Sequence, residues 1–460
     1  MPMRSASLLA FLLAAGCAVQ PDYRAPEPEL PAAWKDAAPR PQGGAPWWTV
    51  YGDAGLERLM DEALAQNSDL LVAAARVDEA RALLGEAQAG LRPQVDAAAS
   101  AGRSLSSAAT GLLPPGAPRE RDNYRATLNL SWEIDLFGRL RSAREAARAE
   151  LAASEALREG VRLSLTARVA AAYYGLLALD TQVELTRRAL ALRGESLGLQ
   201  RRRREAGVIS DYDLRQLEAE AATLRAQLPP LERDREIEEA ALAVLLGRSP
   251  RAVFESAVAR AALLEAPAAT AVPAGLPSEL LLRRPDLVEA ERRLAAANAR
   301  VAVARAAHFP AISLTGFLGS ESAELGDLFT GPAGIWSLAA AVVQPIYGGG
   351  RLQAQRDAAE ARERAVLAQY QGAVRNAFRE VRQALAAQAR AREAFEAQSD
   401  RVRALEETLR LARLRYASGI ASQLDVLDAE RGLLAAQTAR VDALRSQRSA
   451  VADLYRALGG

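Results

Sequence analysis

Arg415 to Glu430 read RYASGIASQLDVLDAE, and Arg203 to Glu218 read RREAGVISDYDLRQLE. In each, a glycine (Gly419, Gly207) is placed to end an incoming helix in the left-handed conformation. Three residues on, a serine (Ser422, Ser210) can cap an outgoing helix whose third residue is an aspartate (Asp425, Asp213). This predicts two tight antiparallel helical hairpins, with tips at Gly207, Val208, Ser210 and at Gly419, Ile420, Ser422.

Gly207, Ser210, Asp213 and Glu218 each precede their match, Gly419, Ser422, Asp425 and Glu430, by 212 positions. The same offset relates Gly138, Arg139, Leu140 to Gly350, Arg351, Leu352, and Leu246, Gly247 to Leu458, Gly459. Upstream it becomes 217, relating Asp69, Leu70, Pro93 to Asp286, Leu287, Pro310, so the first copy holds five extra residues between its proline and its glycine. The chain is a tandem duplication. A period above 200 excludes a solenoid, whose repeats run about 20 to 50 residues.

After Gly138 and after Gly350 the composition stays helical to Ala206 and to Ser418, 68 residues in each copy. That is about 100 Å of helix, far beyond a globular one. On the return, Leu214, Ala221, Leu228 and Leu217, Leu224, Leu231 keep a seven-residue period, as do Leu427, Leu434, Val441. Such a period means coiled-coil packing. Pro229 and Pro230 predict a kink or break in the first return helix. Shorter helices are expected over Asp53 to Gln66 and Asp69 to Leu91.

Between Pro93 and Gly138 the period changes to two. Tyr124 to Asp135 put Tyr124, Ala126, Leu128, Leu130, Trp132 and Ile134 on one face and polar residues on the other. Val95 to Leu105 and Ile312 to Leu318 alternate more weakly, and Gly334 to Gln344 is a fourth candidate, apolar on both faces. Residues 107–122 and 321–333 are expected to join each pair as loops. Trp132 and Trp336 suit either a core or a membrane interface.

The formal charge is +1, from 58 basic and 57 acidic residues, which gives no case for a polyanionic partner such as nucleic acid. His308 is the only histidine and Cys17 the only cysteine. No nucleophile, base and metal set can be assembled, so an enzyme is not expected. His308 is expected to end a helix. Residues 1–16, with Arg4, the apolar Leu8 to Ala15 and Gly16, have the pattern of an export signal. Residues 17–52 form a tether rich in proline and alanine, 53–247 the first repeat, 248–277 a linker with four prolines, and 278–460 the second repeat.

No stretch of about 20 apolar residues follows the signal. Strands with one apolar and one polar face fit either a half-buried soluble sheet or a membrane barrel. For a chain with an outer-membrane type of address, a barrel is the way to enter lipid with every backbone group paired. Four strands cannot close one, since small barrels need about eight. The barrel must be shared among chains.

The run from Trp47, WWTVYGDAGLERLMDEAL, resembles the opening of outer-membrane factors, the TolC and OprM-like channels. LLLRRPDLVEAERRLAAANARVAVARAAHFPAISLTGFLG from Leu280, VQPIYGGGRL from Val343 and FREVRQAL from Phe378 are similar to the outer-membrane lipoprotein subunits of resistance-nodulation-division efflux systems, NodT-type proteins. Cys17 after small residues resembles a lipobox, although Ala14 stands where that motif prefers leucine. The resemblance implies an N-acyl and diacylglycerol lipid on Cys17, no other cofactor, and an outer-membrane address. It implies a mainly α chain with a membrane β-barrel: a homotrimer with a twelve-stranded barrel and a tunnel of long coiled-coil hairpins. The hairpin tips would form a periplasmic gate, opened by an adaptor and an inner-membrane pump that contact Gly207, Val208, Ser210, Gly419, Ile420 and Ser422.

By that resemblance Asp425 and Asp428 line the constriction, and Tyr416 with Asp213 tie neighbouring coils together. An arginine that completes this network in some members is absent, and Ala421 stands in its place. Capping alone would also account for Asp213 and Asp425. Asp428, one turn further in, has no such role. Arg201 to Arg204 suit a solvated coil face or a partner contact. Two other functions fit the pattern: the duct of a type I protein secretion system, and a structural periplasmic coiled-coil protein.

Overall fold

The computed structural model describes residues 23, 24, 26, 46–110, 116, 118–255, 258–260, 262–263 and 283–460. The expected signal peptide, Cys17 and most of the tether and linker lie outside them. The elements are α1 (Ala54–Gln66), α2 (Ser68–Ala89), β1 (Gln94–Leu105), β2 (Glu120–Ile134), α3 (Arg139–Glu205), α4 (Asp211–Leu245), α5 (Pro250–Glu255), α6 (Pro285–Ala306), β3 (Ala311–Ser322), β4 (Gly334–Val343), α7 (Arg351–Ala417) and α8 (Gln423–Leu458). Helices α3 and α7 are 67 residues each, as the duplication requires. Among the described residues no helix is long and apolar enough to cross a membrane.

The chain divides into two compact units. The first comprises residues 1–27, 76–155 and 289–371 and holds the sheet. Its strands lie in the order β1-β2-β3-β4, all antiparallel. The register carries the alternation of Tyr124 to Ile134 across the whole sheet. Val95, Leu130, Gly316 and Leu338 align in one row, and Ala97, Leu128, Leu318 and Trp336 in the next. One face is therefore apolar, and it is bare: Leu318 is 64% exposed, Leu338 65% and Trp336 77%.

Arg103, on that same face, pairs with Glu120 at 2.6 Å and Asp122 at 3.6 Å and ends the apolar band. On the other face Asn123 donates to Glu321 at 3.0 Å, and Arg125 lies 4.5 Å over the Phe317 ring. Gly319 is needed where β3 meets β2, because a Cβ there would stand 2.1 Å from the Ala126 carbonyl oxygen.

One expectation about this unit needs correction. The joining stretches are shorter than 107–122 and 321–333, since β2 starts at Glu120 and β3 runs to Ser322. The ladder partner supplies the pattern that the polar residues 120–123 lack. The Trp132 indole N–H donates to the Leu91 carbonyl at 3.1 Å, beyond the end of α2. The fourth strand does form. His308 closes the turn after α6, its Nδ1 3.2 Å from the Ala304 carbonyl.

The second unit comprises residues 28–75, 156–288 and 372–460. Its core gathers around a 3-10 turn, Trp47–Tyr51. Trp47 stacks on Tyr455 at 5.2 Å and donates to Thr166 at 3.1 Å, while the Tyr51 hydroxyl donates to the Arg448 carbonyl at 2.7 Å. Asp53 then caps α1, accepting the Gly55 and Leu56 N–H groups. Part of the linker is fastened here: Arg260 pairs with Asp180 and Glu239, and Val258 and Leu263 are buried.

Pro229 and Pro230 do not break α4, which runs through both to Leu245. Each proline removes the N–H that would bond the carbonyl four residues earlier. Both prolines and the residues that lose their partner, Arg225 and Ala226, are exposed, so water takes the freed carbonyls.

Candidate functional site

Two hairpins, α3–α4 and α7–α8, carry every predicted gate and tip residue, all within the second unit. Gly207 and Gly419 adopt φ of 70° and 73°, a region open to glycine at little cost. Both capping boxes form. Ser210 accepts the Asp213 N–H and Ser422 that of Asp425, while each aspartate carboxylate reaches back to the serine N–H, at 3.3 and 2.7 Å. The Ser422 hydroxyl and then its backbone N–H hold the Asp425 carboxyl below the usual carboxylate range, with Arg415 adding to the effect. Val208 and Ile420 are exposed at the two tips.

Four predicted gate residues divide into different roles. Asp213 and Asp425 are engaged in their own caps. Asp428 is exposed and pairs with Arg431 one turn on. Tyr416 does not meet Asp213 in this chain: its hydroxyl accepts from Arg203 Nη1 at 2.7 Å and lies 3.5 Å from Gln200 Nε2. The guanidinium that reaches this tyrosine comes from the opposite hairpin.

The run Arg201 to Arg204 is mostly consumed by such links. Arg201 pairs with Glu218 at 3.1 Å, Arg203 with Tyr416, and Arg204 with both Asp211 oxygens at 2.7 Å. The Arg204 hydrogen bond holds the Asp211 carboxyl below its usual range. Arg202 stays exposed.

Apolar packing runs beneath these links. Leu197 of α3, Leu217 and Ala221 of α4 and Leu427 of α8 form one cluster, so the second hairpin inserts a leucine into the first. Leu409, Val426 and Ala429 form another between α7 and α8, with Tyr416 on its border.

An antiparallel sheet with a bare apolar face, joined in one chain to two long coiled hairpins, defines a channel subunit of the kind that pairs membrane strands with a helical conduit. The chain belongs to the outer membrane efflux protein family, whose model matches residues 59–248 and 276–460. It is 38% identical over 468 aligned residues to the antibiotic efflux pump outer membrane protein ArpC of Pseudomonas putida, covering 99% of this chain and 95% of that protein. The crystal structure of the open state of the Neisseria gonorrhoeae MtrE outer membrane channel matches with a TM-score of 0.86 and 36% identity, over 96% of this chain and 98% of that one. The Campylobacter jejuni CmeC outer membrane channel matches with a TM-score of 0.90 and 26% identity, over 96% and 95%.

Proposed function

We propose that this chain is the outer-membrane exit duct of a tripartite efflux pump, exporting drugs or other small toxic compounds from an inner-membrane resistance-nodulation-division pump and its periplasmic adaptor. The observation that carries this reading is the bare apolar face of the four-stranded sheet. A soluble protein would bury such a face, and lipid is the solvent that suits it.

The sheet ends in the strands β1 and β4, each paired on one side only. Three copies joined edge to edge would close twelve strands and leave a pore, whereas two would close eight and leave almost none. Cys17 is the proposed lipid-bearing N-terminus, which anchors the chain in the outer membrane while the hairpins extend into the periplasm. In this reading Tyr416, Asp213, Asp425 and Asp428 belong to the gate. Gly207, Val208, Ser210, Gly419, Ile420 and Ser422 are the tip positions offered to the adaptor and pump. The names of the relatives, several of them efflux pump outer membrane proteins, favour a pump over a type I secretion system.

The test is native mass measurement in detergent combined with planar-bilayer recording of the full chain. A trimer that conducts supports the proposal, and a stable monomer without conductance defeats it.

A further inference from the structure

Six buried polar residues lie on α3, and four of them fall in its half towards the tip. Gln182, Thr186, Arg193 and Gln200 of α3 are between 3% and 7% exposed. Gln182, Arg193 and Gln200 follow one another by 11 and 7 residues, spacings that keep side chains on one face of a coiled helix. That face meets α8 of the second hairpin. Gln182 donates to Asp442 at 2.9 Å, Arg193 pairs with Glu430 at 3.1 Å, and Gln200 lies 3.5 Å from Gln423. As the α3 number rises the α8 number falls in step, so the two helices run antiparallel in one register.

The duplication supplies an internal control. At the positions 212 later, α7 carries Ala394, Gln398, Leu405 and Ala412, so only Thr186 has a polar match. The seam is therefore no general feature of these long helices, and it belongs to the contact between the two hairpins. Each hairpin also keeps its own rung, Arg201 with Glu218 and Arg413 with Glu430 at 3.0 Å. Glu430 differs from Glu218 in reaching across to the other hairpin as well.

Resting on the channel reading above, we propose that Arg193 and Glu430 form a latch within a releasable polar seam, a second lock about 20 Å along α3 from the Gly207 tip. A seam of leucines would resist parting, because its surfaces have no good partner in water. Polar groups exchange their partner for water with little net loss. When α8 leaves α3, Glu430 keeps Arg413 and remains paired, while Arg193 regains water. In this structure Arg193 Nε and Nη1 are buried without an acceptor, so its single ion pair holds a guanidinium that hydration readily reclaims. Arg193 and Glu430 are positioning residues of the gate and do not line the path of the exported compound.

The latch predicts opposite signs for its two halves, which a merely structural pair would not give. Glu430→Gln leaves the buried guanidinium unpaired and favours the parted state. Arg193→Leu, which copies Leu405 of the second repeat, makes the seam apolar and favours closure, as does Gln182→Leu at the next rung. In planar-bilayer recordings of the full chain, resting open probability should rise about tenfold for Glu430→Gln and fall about tenfold for Arg193→Leu and for Gln182→Leu, the size of shift a single buried contact can exert on a two-state equilibrium. Trimer recovery in detergent controls for folding, and either leucine variant serves if the other does not assemble.

Equal signs, or no change, in variants that assemble overturn the latch. Arg203→Leu separates the two levels of the proposal. If it opens channels while the seam variants leave them unmoved, the latch fails and the channel reading stands. If neither the wild type nor Arg203→Leu conducts, both fail.

Discussion

Arg203 of the first hairpin donates to the Tyr416 hydroxyl of the second at 2.7 Å, joining residues 213 positions apart in a half-buried contact. Arg204, its neighbour, stays within its own hairpin and grips Asp211. The duplicated position of Arg204 is Tyr416 itself. One copy has turned a local ion pair into the acceptor of a bond between hairpins.

Removing either partner of that bond should loosen the tips. Tyr416→Phe strands the Arg203 guanidinium, and Arg203→Leu removes it, so each should weaken closure by about 1 to 3 kcal/mol, the range for a hydrogen bond to a charged group. Resting conductance of the trimer in planar bilayers is the measurement, and both variants should raise it. The double variant should add little to either single one, because the two residues share a contact.

Asp425→Ala with Asp428→Ala should lower cation preference and divalent block in the same recordings. The two aspartates lie three residues apart on α8 and so face the same way. Arg431 already pairs with Asp428, which predicts that Asp425 supplies the larger share. An unchanged preference in the double variant would reduce both to capping and surface residues.

Acid should loosen the tips. Asp211, Glu218 and Asp425 all have carboxyls held below their usual range, the first two by arginines and the third by Ser422. A depressed folded pKa contributes stability that is complete above the ordinary carboxylate range and is lost as pH falls through the lower folded value, which places the loss below about pH 4. Amide hydrogen-exchange protection at residues 211–214 and 423–426, corrected for intrinsic rate, should fall in that window and be unchanged between pH 5 and pH 7.

Gly319→Ala should impair assembly in the membrane. The added Cβ would meet the Ala126 carbonyl at 2.1 Å, so β2 and β3 must separate, at a cost of about 1 to 3 kcal/mol or more for an overpacked site. Heat-modifiable migration of the outer-membrane fraction on a gel should be lost or weakened, whereas Gly326→Ala, with open space around its Cβ position, should migrate as the wild type does.

Cys17 should be the N-terminus of the mature protein and carry lipid. Mass spectrometry of the purified chain should show a diacylglycerol and an acyl group on it, and Cys17→Ser should be unmodified. An unmodified terminus at another residue would overturn this.

The duplication, the hairpin tips and the strands were legible from the sequence because each is written locally. Capping boxes span four residues, the left-handed glycines are set by their own backbone, and the alternation of Tyr124 to Ile134 has period two whatever the strand pairs with. The length of α3 and α7 followed from unbroken composition. Pro229 and Pro230 pointed to a kink or a break, and the break does not occur: a proline rule speaks of the lost N–H, whereas the fold leaves the residues around it exposed.

Tertiary structure alone decided who meets whom. Tyr416 takes Arg203 rather than Asp213, and Arg193 takes Glu430, because α3 and α8 lie antiparallel in one register that no local pattern encodes. Gln182, Thr186, Arg193 and Gln200 stand in the sequence as ordinary polar residues of a long helix. Their burial is a property of the helix that covers them, and a polar side chain acquires its meaning from the partner that replaces its water.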